Sequence, residues 1–116
     1  MISITRGDTQ KLSFYRKDKE GNVIKTTPEA AYFTVKNNTA TKDVILQKKL
    51  SDMTLDTETG KYSFYILPED TNNLNYGSYN YDIEIKDTID SIPYVKTISI
   101  GTLKITKEVT FAINEV

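Results

Sequence analysis

Apolar side chains recur at every second position in short runs, and no window of about a dozen residues shows the 3.6-residue period of an amphipathic helix. The clearest run is Tyr79, Tyr81, Ile83 and Ile85, interleaved with Asn80, Asp82, Glu84 and Lys86. A period of two sends the first set to one face of a strand and the second to the other, as in a sheet buried on one side only. The same alternation appears at Ile2 and Ile4, at Leu12 and Phe14, and at Ala31, Phe33 and Val35. It returns at Tyr62, Phe64 and Ile66, with Ser63 and Tyr65 facing the other way. The segment Asp43–Lys49, "DVILQKK", is short and apolar. Turn signals separate these runs: Arg6–Gln10, where Gly7 is free to take positive φ, the polar tip Asp18–Asn22, the loop from Asn37, and Thr59-Gly60. The expectation is an all-β, antiparallel β-sandwich of about eight strands. The 116 residues fit a single domain over 1–116, with no linker, repeat or low-complexity tract. A chain of this size buries roughly 65% of its unfolded surface, enough for one core.

The parity of the pattern flips once near the end. Ile98 and Ile100 precede Gly101, and Leu103 and Ile105 follow it. A regular strand would send one pair to solvent, so a β-bulge or tight bend at Gly101 is expected to restore the inward face. From Leu103 the odd register runs on through Val109, Phe111 and Ile113, which extends the strand prediction to the C-terminal residues.

The segment Leu67–Ile85 places three tyrosines after a run of Asn, Tyr76 just before Gly77 and Tyr79 and Tyr81 just after it. Pro68 suits a helix start and the acids after it suit the dipole, so one short helical turn is expected near 69–74. Leu74, Gly77 and Tyr79 follow. Before strand F of immunoglobulin-like sandwiches the chain has this grammar, and a tyrosine there turns its hydroxyl back to a backbone group upstream. Tyr79 fits that corner, Gly77 lets the backbone pass closely, and Tyr81 stands two residues on, where antibody domains carry a Cys. Leu74, Gly77, Tyr79, Tyr81 and Gly101 are therefore read as structural residues. A competing reading makes the tyrosines an aromatic platform for sugar. It points to the outward-parity pair Tyr32 and Tyr65, though the absence of Trp weakens it.

Composition removes several chemistries. With no Cys there is no disulfide, thiol nucleophile or thiolate zinc site, and with no His the commonest general base and metal ligand are missing. Ser-His-Asp and Cys-His catalysis are excluded. Stability without disulfides suits a reducing cytoplasm. The net charge of −1 argues against nucleic acid as partner. No apolar run approaches the roughly 20 residues of a membrane helix, and the opening lacks the pattern of a secretory signal, which speaks against a secreted adhesin domain. The acids Asp82, Glu84, Asp87 and Asp90 lack a calcium-loop pattern and read as solvated charge. Arg6-Gly7-Asp8 falls in a turn and reads as structural. The glycines are isolated, so no phosphate loop is present, and no carboxylate pair marks a glycosidase cleft. No catalytic, cofactor-binding or metal-ligating residue is assigned. The charge is uneven: residues 1–50 hold ten Lys/Arg and five Asp/Glu (+5), residues 51–116 five and eleven (−6). Either the halves interleave and pair locally, or the molecule has a basic and an acidic face suited to head-to-tail packing.

The ordered segments "ITRGDTQKLSFY", "DKEGN", "FTVKNN", "LPEDTNNLNYGSYNYDIEI" and "TISIGTLKITKEVT" resemble the N-terminal domain of phage baseplate upper proteins and related small tail proteins of Gram-positive phages and prophages. The resemblance runs from about Ile4 to Thr110. It implies an immunoglobulin-like β-sandwich and a non-enzymatic virion part. It also implies partners among other tail or baseplate proteins, and a homo-oligomeric ring or trimer. Such proteins typically continue into a helical stalk, whereas this chain stops at Val116, as a truncated module or a short relative would. The resemblance carries over no contact residues.

Overall fold

A computed structural model describes residues 1–37 and 44–107. Among the described residues, eight strands form two sheets. The five-stranded sheet has the order β1 (Ile2–Thr5), β8 (Ile92–Thr106), β7 (Gly77–Ile89), β3 (Ala30–Lys36), β4 (Val44–Lys49). The three-stranded sheet has the order β2 (Gln10–Tyr15), β6 (Lys61–Ile66), β5 (Thr54–Asp56). Strands β1, β3, β4, β7 and β8 in one layer and β2, β5 and β6 in the other reproduce an immunoglobulin-like arrangement, with β7 and β8 in the places of strands F and G. The pairing differs from expectation in one respect. β1 runs parallel to β8, with Ile2 opposite Leu103 and Thr5 opposite Thr106, whereas the other pairs are antiparallel.

Alternation decides which side chains fill the space between the layers. Ala31, Phe33 and Val35 from β3 are fully buried, as are Tyr62 and Ile66 from β6. Phe33, Val35 and Ile66 join Ile4, Phe64, Tyr79, Ile83, Leu103 and Ile105 in one cluster drawn from both sheets. Phe33 meets Phe64 across the layers with ring centroids 4.9 Å apart, and Phe14 stacks on Tyr62 at 4.6 Å. Truncating a buried Phe such as Phe33 to Ala would cost about 3–5 kcal/mol.

The helical turn α1 spans Pro68–Thr71, a little earlier than the expected 69–74. Pro68 occupies its first position, and the Asp70 carboxylate accepts from the Leu67 amide at 2.7 Å, capping the start. A second short turn, the 3-10 helix Leu50–Asp52, has no signal in the sequence pattern, although Asp52 caps the Lys49 amide in the same way.

Two strands are longer than the short ones expected: β7 has 13 residues and β8 has 15. The bulge on β8 also lies elsewhere. Register with β7 is regular through Gly101, which sits opposite Tyr81, and shifts only between Ile83–Ser99 and Glu84–Thr97. The extra residue is therefore Ile98, not Gly101. Ile98 packs against the core, while Ile100 stays on the outer face, 73% exposed. One apolar side chain does go to solvent, so the parity flip is only half repaired. Gly101 is required for another reason. A Cβ there would meet the Tyr81 ring at 2.8 Å, so the missing side chain makes room for that ring. The predicted strand positions Val109, Phe111 and Ile113 lie outside the described residues.

Candidate functional site: a projecting hairpin

β3 covers β7 only as far as the pair Ala30–Lys86. Beyond it, Asp87–Ile89 and Ile92–Tyr94 pair only with each other, forming an arm that projects past the rest of the sheet. Asp90 and Ser91 turn the arm with φ of 52° and 65°, the positive values a two-residue hairpin turn demands. β1 covers β8 only at Leu103–Thr106, so among the described residues β8 from Ile92 to Thr102 has β7 on one side and no strand on the other. The arm exposes apolar side chains: Ile92, Tyr94 and Val95 are each more than half exposed. Pro93, Lys96 and the bulge at Ile98 are devices that discourage strand-to-strand pairing along such an edge. The arm is thus suited to contact through its side chains rather than by extending the sheet.

The root of the arm is built into the sandwich. Arg16 continues the inward register of Leu12 and Phe14 and is 7% exposed. Its Nη1 donates to the Asp87 carboxylate at 3.0 Å and its Nη2 to the Thr26 carbonyl at 2.9 Å. The Thr88 hydroxyl donates to the Glu29 carboxylate at 2.6 Å, and the Glu29 amide donates to the Lys86 carbonyl at 3.0 Å. Beside this clasp, the buried Tyr62 hydroxyl and Arg16 Nε lie close enough to interact, but neither meets hydrogen-bond geometry with any of the described residues. Burial pushes the Tyr62 pKa up, and the Arg16 guanidinium partly opposes the shift.

The residues singled out by sequence fall into two groups. Leu74, Gly77 and Tyr79 gather at the connection from α1 into β7. Leu74 packs against the core, and the Tyr79 hydroxyl donates to the Asn75 carbonyl at 2.7 Å. Gly77 leaves open space where a Cβ would stand, so close backbone passage does not explain it; its φ of 135° does. Tyr81 and Gly101 pair across β7 and β8, and the Tyr81 ring packs on Phe33 at 5.6 Å. The position that pairs with a disulfide in antibody domains is filled here by aromatic packing.

Tyr32 and Tyr65 do not form a platform. Tyr32 lies on the outer face of the five-stranded sheet beneath Lys86 Nζ, while Tyr65 lies on the outer face of the other sheet. The acids are likewise dispersed. Asp82 and Glu84 face outward on β7, Asp87 is tied to Arg16, and Asp90 is at the tip; among the described residues no group of three or more could hold a metal. Arg6-Gly7-Asp8 joins the β1–β2 turn to the α1 connection. The Arg6 guanidinium stacks 4.3 Å over the Tyr76 ring and donates to the Leu74 carbonyl, and the Gly7 amide donates to Thr71 Oγ1. The ion pairs Arg16–Asp87 and Lys48–Asp70 each join the basic half of the chain to the acidic half, so the halves interleave.

Sequence reasoning missed the root of the arm. Its signal was present: an Arg at an inward register position asks for a buried acceptor. No family model matches the chain, and no curated protein matches it.

Proposed function

We propose that this chain is a non-enzymatic assembly module of a phage or prophage tail, seated in the tail tip or baseplate and acting by contact with other tail proteins. The resemblance of its segments to the N-terminal domain of baseplate upper proteins gives the class. The observation that carries the contact role is the projecting β7–β8 arm, with Ile92, Tyr94 and Val95 exposed on a root tied by partly buried hydrogen bonds. Large apolar side chains exposed on a projecting arm, Ile92 and Tyr94 on one face and Val95 on the other, mark an interaction surface. On this reading the protein is made in the bacterial cytoplasm and works in the virion, as a homo-oligomeric ring or trimer, with no cofactor.

The test is size-exclusion chromatography with light scattering, on the chain alone and mixed with the major tail-tip protein of the same phage. Self-association or a mixed complex supports the reading. A strict monomer with no affinity for any tail component contradicts it.

A further inference from the structure

We infer that Arg16 is the positioning residue that fixes the direction of the β7–β8 arm. Asp87 is the first β7 residue beyond the reach of β3, so a bond at this point acts on the arm at its hinge. Arg16 reaches Asp87 from just past the end of β2, a strand of the opposite sheet, and at the same time holds the Thr26 carbonyl. One guanidinium thus ties three separate parts of the chain at the arm's base. The Arg16 side chain is 9% exposed and the Asp87 side chain 22%, so water screens the pair only weakly on one side. The second clasp, Thr88 to Glu29, lies on the exposed side and is expected to hold less.

A planar fork is needed here because two acceptors in different directions must be met at once. Lysine's three donors radiate from a single nitrogen and do not reproduce that fork. Loss of either partner strands a polar group at the hinge, and the nearest relief is movement of the arm rather than of the packed strands below it. This inference stands apart from the assembly reading, because it concerns the isolated chain and is measured without a partner.

Hydrogen exchange on the isolated protein tests it. In Arg16→Met and Asp87→Asn, the hairpin amides of residues 88–92, 94 and 95 are expected to exchange faster by about tenfold or more, while those of β3 and β6 change far less. Arg16→Lys should fall between wild type and Arg16→Met, and Thr88→Val should leave arm exchange nearly unchanged. Arm and core amides accelerating together would overturn the inference, since Arg16 would then contribute only general stability. Unchanged arm exchange in both variants would overturn it as well. Should Arg16→Met fail to fold, Asp87→Asn, at a partly exposed carboxylate, gives the same reading.

Discussion

The Tyr79 hydroxyl donates a 2.7 Å hydrogen bond to the carbonyl of Asn75, four residues upstream, while its ring is buried between the sheets. The bond closes the connection from α1 onto the start of β7. A phenol does both tasks at once, since the ring fills core and the hydroxyl satisfies a loop carbonyl.

Tyr79→Phe keeps the ring and removes the bond. It should lower unfolding stability by about 1 kcal/mol with little change in m-value, read by urea denaturation. A loss below the error of the measurement would show that water replaces the bond at no cost.

Tyr62 presents the opposite case. Its buried hydroxyl finds no acceptor among the described residues and has only the Arg16 guanidinium, itself a donor, beside it, which penalises the folded state. Tyr62→Phe preserves the stack on Phe14 and should raise stability by about 1 kcal/mol. The pH dependence follows from the raised pKa. A phenol whose folded pKa lies above the unfolded value contributes fully below the unfolded value of about 10, and the contribution is lost as pH rises through the folded value. Alkaline denaturation should therefore be less steep in Tyr62→Phe than in wild type. A destabilised variant would mean that the hydroxyl makes an effective bond to Arg16.

Gly101 is tied to the Tyr81 ring. Gly101→Ala should cost about 1–3 kcal/mol, because the added methyl displaces the ring. Tyr81→Leu in the same chain should recover part of that loss, which a double-mutant cycle measures. Equal losses with and without the Tyr81 change would place the cost in the backbone instead.

Much of the architecture was legible in the sequence, because alternation reports burial directly. Ala31, Phe33 and Val35, Tyr62, Phe64 and Ile66, and the corner at Tyr79 all lie where period two sends them. Three features were not legible. The parallel pairing of β1 with β8 joins segments about a hundred residues apart, and alternation carries no information about partners or direction. The parity flip revealed that the register is irregular but not which residue is extra, and the bulge falls at Ile98 because Gly101 must stay opposite Tyr81. The arm was hidden because β7 and β8 read alike inside and beyond the sheet; only the end of β3 reveals where cover stops.

The arm as contact surface is the claim on which the proposed role rests. Tyr94→Asp combined with Val95→Asp places charge on two exposed side chains away from the core, so melting temperature should hold within a few degrees, about what a surface change produces. The decisive measurement is light scattering of wild type and this variant, each alone and with the tail-tip protein. Wild type should run above the 13.2 kDa of a single chain or join the partner, and the variant should do neither. Identical masses for the two proteins under both conditions would contradict the account.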